Sequence, residues 1–216
     1  MFDLISKPDS RVAGETSRAQ LAHTDEPFRY SPPGFILFHA IKTAAESGGT
    51  SIMVDGFKVA QKLKEARPEA FDLLTSAGIT HRRQHEGEVH FETESHVISL
   101  DVEGFVTGIR FNDRCLVLQP GDPARTEALL DAIGAFSALL EEESLQYRHQ
   151  LKPGELLIFD NGRVLHGRTE FDPSIGMRHL RSCNIDRDAV HSAFRTLAAR
   201  FAPQEATDVL YQGPIL

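Results

Sequence analysis

The sequence predicts a mainly β protein with helices inserted between its strands. Strand-like patterns lie near both ends of the 216-residue chain, and the long helical periodicities lie between them. This order favours an antiparallel sandwich or barrel decorated by helices over the regular strand–helix alternation of parallel α/β proteins. Neither G-x-G-x-x-G nor a phosphate-binding P-loop occurs, so a nucleotide cofactor has no support.

The first half of the chain predicts short strands and a pair of helices. Residues 1–35 are rich in Gly, Pro, Ser and Asp and contain short strand-like pieces. The apolar run at residues 34–42 predicts a buried strand, and a Gly-Gly turn then leads into a second short strand. Helical periodicity extends from residue 57 to 76, and Pro68 starts the second of two helices there.

The second half mixes the same elements with clearer turns. Residues 79–119 alternate like strands and turn at Gly104, and residues 147–168 predict three short strands joined by a Pro-Gly turn and a loop. The clearest helix covers residues 122–143, and a last helix begins near residue 186. The apolar stripe of the clearest helix comprises Leu129, Leu130, Ile133, Phe136, Leu139 and Leu140.

Composition limits the classes of partner. The chain is 41% apolar and 25% charged, which is an ordinary globular balance, and its net charge is −8. That charge argues against nucleic acid or an anionic membrane as the main partner, and no apolar run is long enough to span a bilayer. Two cysteines without zinc-site spacing favour a reducing, cytoplasmic setting. Neither nucleic acid nor a membrane is therefore predicted as a partner.

A possible metal site begins in the stretch "QLAHTDEPF". His23 and Asp25 lie on the same side of this extended segment because strand side chains alternate with period two. An H-x-D tripeptide is also compatible with a surface turn in which Asp25 caps an amide. His166 is the candidate third ligand, although a histidine at a strand end is often purely structural. Two His and one carboxylate leave room for a chelating cosubstrate and O₂, as non-haem Fe(II) oxygenases require.

Four motifs extend this hypothesis to most of the chain. They are H-x-D, G-G-T-S-x-x-V-D-G-F, F-D-N-x-R-x-L-H-G-R and R-H-L. Together they resemble the γ-butyrobetaine hydroxylase branch of the taurine-dioxygenase-like Fe(II)/2-oxoglutarate oxygenases, from about residue 2 to 201. The resemblance implies a double-stranded β-helix (a cupin-like jelly roll) with His23, Asp25 and His166 as Fe(II) ligands. It also implies 2-oxoglutarate and O₂ as cosubstrates.

The same resemblance assigns the 2-oxoglutarate site. Arg178, twelve residues after His166, would bind the distal carboxylate, since a planar guanidinium meets a carboxylate with two hydrogen bonds. Thr50 matches the position that donates a hydroxyl to that carboxylate. The structural alternatives are a salt bridge for Arg178 and a turn residue for Thr50.

The chain differs from these relatives in its expected number of domains. They usually carry a separate N-terminal domain and often dimerise partly through it, whereas here about 20 residues precede His23. We therefore expect residues 1–216 to form a single dioxygenase domain that lacks this N-terminal domain, with a homo-oligomer as an open expectation.

The substrate positions also depart from the relatives. Two tyrosines of the aromatic cage that holds a trimethylammonium group are replaced by Glu15 and Asn184, while Phe2 keeps an aromatic ring at a third position. A carboxylate and an amide oxygen accept hydrogen bonds, which favours a primary ammonium. Asn112 matches a strand position that faces the substrate.

Nearby guanidinium groups suggest the other end of the substrate. Arg11 and Arg18 lie close in sequence to the altered cage position, and such groups favour a strong anion such as a phosphonate. The predicted reaction is hydroxylation of a small zwitterion, with 2-aminoethylphosphonate as the most concrete substrate. The alternatives are a hydroxylase of γ-butyrobetaine or another trimethylammonium compound, a non-catalytic jelly-roll binding protein, and a zinc hydrolase on the same three ligands.

Overall fold

The computed structural model of the chain describes residues 1–7, 10, 13–43, 48–118 and 121–202. The strands are β1 (Phe2–Ile5), β2 (Gln20–His23), β3 (Phe35–Lys42), β4 (Ser51–Asp55), β5 (Ile79–His85), β6 (Val89–Ser95), β7 (Ile98–Leu100), β8 (Val106–Ile109), β9 (Leu116–Val117), β10 (Gln146–His149), β11 (Leu156–Asp160), β12 (Val164–Arg168) and β13 (His179–Ile185). The helices are α1 (Gly56–Ala66), α2 (Pro68–Ser76), α3 (Pro123–Glu141) and α4 (Arg187–Phe201).

Two four-stranded antiparallel sheets form the main architecture. The first has the strand order β1-β13-β3-β11, and the second has the order β10-β4-β12-β2. The remaining strands form a three-stranded sheet, β6-β5-β9, and a two-stranded sheet, β7-β8. The chain is thus mainly β with inserted helices, as its sequence predicts.

Alternation along the second sheet separates two apolar cores. Met53 of β4 packs with Ile36 and Phe159 of the first sheet, so these residues fill the space between the two sheets. Val54 and Leu165 point the other way and pack against helices α1, α2 and α3. Because successive strand residues face opposite sides, His166 points toward the inner space when Leu165 points toward the helices.

The junction between β4 and α1 is fixed by Asp55. Its carboxylate accepts the Phe57 N–H at 3.0 Å as a helix N-cap and forms an ion pair with Arg163 at 2.8 Å. Gly56 is required at the helix start, since a Cβ there would lie 2.6 Å from the Leu165 side chain. These contacts give the V-D-G-F and N-x-R segments a structural role beside the candidate site.

Several predicted elements are confirmed. β3 lies within the predicted residues 34–42, α2 begins at Pro68, α3 begins at Pro123, and Gly104 occupies a turn with a φ of +86°. No helix within the described ranges has the length and apolar character needed to cross a membrane.

Other expectations are corrected. Residues 89–100 form two strands, β6 and β7, which belong to different sheets. Leu130 is 52% exposed because the buried stripe of α3 follows Ala132, Phe136 and Leu140 at a spacing of four residues. β13 is an additional strand between β12 and the last helix, and it pairs with both β1 and β3.

Candidate active site

Two neighbouring strands bring the predicted metal ligands together. His23 ends β2 and lies in register with His166 of β12, and their ring centroids are 4.5 Å apart. The Asp25 Oδ1 atom lies 3.5 Å from His23 Nε2 and 3.8 Å from His166 Nε2. Among the residues that the structure describes, this is the one group of three or more His, Cys, Asp or Glu side chains found close enough to share a metal ion. The predicted triad is therefore assembled.

Each imidazole is held in a defined orientation. His23 Nδ1 lies 2.7 Å from the Leu21 carbonyl oxygen. Because a carbonyl only accepts hydrogen bonds, Nδ1 carries the proton and Nε2 keeps a free lone pair toward Asp25. The His166 ring packs against Phe38 and Phe159 at centroid distances of 5.3 and 4.9 Å. Both rings therefore present Nε2 toward the same point.

Asn161 positions the third ligand through the main chain. Its Oδ1 atom accepts the Asp25 N–H at 2.8 Å, and its Nδ2 atom donates to the Asp25 and Pro33 carbonyl oxygens, each at 3.0 Å. Asn161 is buried, with 2% of its surface exposed. The sequence analysis assigned it no role, although it lies within the F-D-N-x-R motif.

The protonation states suit metal binding. Burial raises the pKa of the Asp25 carboxyl, but the electrostatic influence of the neighbouring His166 and His23 side chains outweighs it and lowers the pKa to about 2. Burial lowers the pKa of His166 to about 3. At neutral pH the group thus combines a carboxylate with a neutral His166 imidazole, which are the ligand forms that metals bind.

A cavity of about 630 Å³ opens beside the triad, large enough for small-molecule ligands. Two arginines, buried Arg168 and half-buried Arg178, lie on its wall. Burial lowers the pKa of Arg178 to about 9 and that of Arg168 to about 10, so both remain charged at neutral pH. Within the described residues neither forms an ion pair with a carboxylate, and Arg168 Nε and Nη1 lack hydrogen-bond partners. This wall is suited to an anion.

The Thr50 hydroxyl is paired with another side chain in this structure. Its hydroxyl donates to Gln150 Oε1 at 2.8 Å, and it is absent from the described residues that line the cavity. Ser51, the next residue, is buried and lines the cavity together with Met53, two positions further along β4. The alternation of β4 therefore turns Ser51 toward the cavity.

The predicted substrate residues divide into two sets. Asn112 and Asn184 line the cavity, as does Phe2. Glu15 does not: its carboxylate accepts hydrogen bonds from Ser10 at 2.6 Å and Lys7 at 2.9 Å, which lower its pKa. Glu15 stays a prediction as a substrate residue, with its carboxylate engaged within the N-terminal segment in this structure.

The predicted arginines give no support to a phosphonate site. Arg18 is not among the described residues that line the cavity, and Arg11 lies outside the described residues. Sequence reasoning missed other arginines on this wall, which come from β5 and the turn before β9: Arg82, Arg83 and Arg114. No local motif marks them, because β5 reaches the cavity only through tertiary pairing.

Glu26 was also missed, although it directly follows Asp25. It lines the cavity and adopts a φ of +53°, a region rarely occupied by residues other than glycine. Its Oε1 atom accepts a hydrogen bond from Asn184 Nδ2 at 3.3 Å. The sequence signal that could have indicated Glu26 is a second carboxylate directly after the H-x-D tripeptide.

Comparisons with known proteins agree with this geometry. The family model described as "Taurine catabolism dioxygenase TauD, TfdA family" matches residues 1–184. Gamma-butyrobetaine dioxygenase of Homo sapiens is 33% identical over 203 residues, which cover 92% of this chain and 52% of that protein. Mitochondrial trimethyllysine dioxygenase of Rattus norvegicus is 32% identical over 200 residues, covering 85% and 45% respectively. The chain spans about half the length of these relatives.

Solved structures show the same fold at lower identity. Asparagine oxygenase in complex with Fe(II), a hydroxyasparagine and succinate superposes with a TM-score of 0.65 at 18% identity, covering 89% of this chain and 59% of that one. The non-heme iron oxygenase OrfP in complex with Fe and alpha-ketoglutaric acid has a TM-score of 0.62 at 16% identity, covering 89% and 58%. On the family match and the assembled motif residues, the chain belongs to the TauD/TfdA dioxygenase family.

Proposed function

We propose that this chain carries the catalytic domain of an Fe(II)/2-oxoglutarate-dependent dioxygenase that hydroxylates a C–H bond of a small ammonium compound. The observation that carries the proposal is the His23–Asp25–His166 group beside the guanidinium groups of Arg168 and Arg178, which form no ion pair with a carboxylate of the described residues. Two imidazoles and one carboxylate fit Fe(II) and leave coordination positions free. Bound Fe(II), 2-oxoglutarate and O₂ supply the oxidising chemistry, and the chain supplies orientation and exclusion of water.

Arg168 and Arg178 would hold the distal carboxylate of 2-oxoglutarate. Arg168 donates Nη2 to the carbonyl oxygens of Thr16 and Ala13, and its positive charge on the cavity wall would attract the carboxylate. The Ser51 hydroxyl on the cavity wall is an additional donor. Thr50 stays a prediction for this role, since its hydroxyl would first have to leave Gln150.

The fold proposal follows from the same elements. The two four-stranded antiparallel sheets, with the metal group at one edge of the space between them, support the double-stranded β-helix implied by the motifs. The His23–His166 pair joins adjacent strands of the second sheet.

Trimethylammonium compounds are the first substrate class to test. The relatives named for gamma-butyrobetaine and trimethyllysine favour this class over an aminoalkylphosphonate. An anionic end of such a substrate would meet Arg83 or Arg114, whose guanidinium groups face the cavity wall. Arg114 also donates its Nε–H to Asn112 at 3.3 Å, which ties these two residues together.

An aminoalkylphosphonate is a second candidate because of the charge of the cavity. Arg82, Arg83 and Arg114 add cationic groups on the wall, and Asn184 stands where a cage aromatic is found in the relatives. A doubly charged phosphonate matches such a cluster better than a carboxylate does. Which methylation state of the ammonium group the site prefers depends on the residues that surround this group.

Succinate formation from 2-oxoglutarate tests this function. The purified chain would be assayed with Fe(II) and ascorbate in the presence of γ-butyrobetaine, trimethyllysine, 2-aminoethylphosphonate or its trimethylated form. We expect at least one compound to stimulate succinate release, and His166→Ala to abolish it. His90→Ala, an exposed histidine on β6, is the matched control. Metal binding without turnover of any compound would favour the non-catalytic alternative, and hydrolysis without 2-oxoglutarate would favour the zinc hydrolase.

A further inference from the structure

Two arginines on the cavity wall are left over once the metal group and the cosubstrate are assigned. They are Arg83, on β5, and Arg114, in the turn before β9, and both side chains are exposed. Within the described residues Arg83 forms no ion pair, and Arg114 forms one, at 3.9 Å with its exposed neighbour Asp113. The other lining arginines are Arg82, which pairs with Glu92, and the two proposed for 2-oxoglutarate, Arg168 and Arg178.

Strand pairing brings these two arginines to the same part of the wall. β5 and β9 are antiparallel, with His81 opposite Leu116. Residue numbers rise along β5 as they fall along the chain before β9, so Arg83 and Arg114 both lie two residues beyond this pair, at the same end. Burial raises the pKa of the Cys115 thiol, and the charges of Arg114 and Arg83 both lower it. Because Cys115 also lines the cavity, the two charges act on one region of its wall.

Asn112 fixes the direction of the Arg114 side chain. Its Oδ1 atom accepts the Arg114 Nε–H at 3.3 Å and the Arg114 backbone N–H at 3.2 Å, and Asn112 itself is buried. The preceding residue, Phe111, accepts the Thr24 N–H at 2.7 Å and donates its own N–H to the Thr24 hydroxyl at 3.0 Å. Since Thr24 is the middle residue of the H-x-D tripeptide, these bonds attach the Arg114 segment to the metal-binding segment. The Arg114 Nη1 and Nη2 atoms have no hydrogen-bond partner in the described ranges, so they are open to a ligand.

A buried ring supports the Arg83 guanidinium group. It lies over the Phe28 ring at 5.7 Å from the centroid, and Phe28 is in turn stacked on Phe91 at 5.9 Å. A guanidinium group held against a ring face keeps the N–H groups at its edges free for oxygen atoms. Because Phe28 lies three residues after Asp25, this support also places Arg83 next to the metal-binding segment.

The charges of the filled cavity leave a positive excess at these arginines. Fe(II) and the 2-oxoglutarate dianion carry equal and opposite charges, so binding both does not change the total. Glu26, the lining carboxylate outside the metal group, already forms an ion pair with Arg29. Arg83 and Arg114 therefore face no buried carboxylate of their own in the described parts of the chain. A betaine is neutral overall, so the excess favours a substrate with a net negative charge.

We propose that Arg83 and Arg114 form an anion subsite that binds a doubly charged oxyanion at one end of the substrate, as in a phosphonate, in preference to a carboxylate. The inference rests on the proposed function and names its substrate class. A phosphonate offers three oxygens and two charges to the two guanidinium groups, whereas a carboxylate offers two oxygens and one charge. The subsite concerns the anionic end alone and applies to a primary or a trimethylated ammonium at the other end.

The test is a binding series on the whole chain loaded with Ni(II), which replaces Fe(II), and with 2-oxoglutarate. Calorimetry at about pH 8, where a phosphonate carries two charges, would compare three compounds with the same trimethylammonium group and the same two-carbon spacer. They end in a carboxylate, a sulfonate or a phosphonate, and the corresponding primary amines form a second series. We expect the phosphonate to bind about tenfold or more tightly than the carboxylate in both series. The sulfonate has three oxygens but one charge, so we expect its affinity to lie between them.

Two variants assign this preference to the subsite. Arg83→Gln and Arg114→Gln should each weaken phosphonate binding about tenfold or more and carboxylate binding less, so that the preference narrows. The affinity for 2-oxoglutarate should stay unchanged in both, which shows that the metal and cosubstrate sites are intact. Arg125→Gln, at an exposed position of α3 away from the cavity, is the matched control for loss of one positive charge.

The outcomes separate this inference from the function beneath it. Carboxylate binding as tight as phosphonate binding, or an unchanged preference in both variants, would overturn the anion subsite while leaving the dioxygenase function standing. If 2-oxoglutarate binds but none of the ammonium compounds does, the subsite and the proposed substrate class fail together. If 2-oxoglutarate does not bind to the metal-loaded chain, the proposed function itself fails.

Discussion

The metal group and the facing cavity wall are built in different ways. His23 and His166 lie on paired strands, and each ring is oriented by a backbone oxygen or by packed aromatic rings. The wall instead collects side chains from β5, from β13, from a turn before β9 and from the segment after β2. The metal group combines the local H-x-D spacing with one pairing of β2 and β12, whereas the wall draws side chains from several elements far apart in sequence.

The largest expected effect comes from removing a metal ligand. His166→Ala deletes one of three metal ligands. Loss of a group that only hydrogen-bonds a ligand lowers metal affinity about 10- to 100-fold, so loss of the ligand itself should lower it further. Metal content after dialysis would be measured alongside succinate formation. Retention of one tightly bound metal ion per chain in His166→Ala would contradict the assignment, with His90→Ala as the control.

A smaller effect is expected from the residue that positions Asp25. Asn161→Ala removes the partner of the Asp25 N–H and of two carbonyl oxygens, so the loop bearing Asp25 should loosen. We expect metal affinity to fall about 10- to 100-fold and the free energy of unfolding to fall by about 1–3 kcal/mol. Metal titration and thermal unfolding would be compared, and unchanged metal affinity would limit Asn161 to a structural role.

The guanidinium groups of Arg168 and Arg178 predict a change of KM that is restricted to 2-oxoglutarate. Arg178→Lys keeps the charge but loses the planar two-point contact, so the KM for 2-oxoglutarate should rise about tenfold. The KM for the ammonium substrate should change little. Steady-state kinetics with each compound varied in turn would show the difference. An equal rise in both values would place Arg178 outside a dedicated 2-oxoglutarate site.

The smallest effect distinguishes two neighbouring hydroxyl groups. Ser51→Ala removes a hydroxyl on the cavity wall and should raise the KM for 2-oxoglutarate about fivefold, the equivalent of one neutral hydrogen bond. Thr50→Val, which keeps the shape but loses the bond to Gln150, should raise it less. A larger effect in Thr50→Val would restore the role that the motif assigns to Thr50.

The family resemblance carried by the motifs was needed to assign the metal group, whereas strong apolar content was sufficient for several strands. The H-x-D spacing and the apolar run before His166 could be interpreted without knowing the pairing of β2 with β12. β13 was missed because Arg181, Cys183 and Asn184 interrupt its apolar pattern, while Leu180 and Ser182 carry its buried face. Its pairing with β1 and β3 outweighs this weak local preference.

The substrate residues were predicted less well for a related reason. Glu15 was assigned by its distance from His23, but the short turn at Ala13–Glu15 directs its carboxylate to Lys7 and Ser10. Glu26 directly follows the H-x-D tripeptide, yet its partner on the cavity wall, Asn184, lies 158 residues away. A contact of such sequence separation leaves no trace in composition or periodicity.

Anaerobic calorimetry of 2-oxoglutarate binding tests the central claim most directly. The claim is that the His23–Asp25–His166 group and the Arg168–Arg178 wall form one binding site for Fe(II) and 2-oxoglutarate. It predicts one 2-oxoglutarate per chain, with an affinity that falls more than about tenfold when Fe(II) is omitted or when Asp25 is replaced by Ala. Equal affinity with and without Fe(II), in both the parent chain and Asp25→Ala, would contradict it.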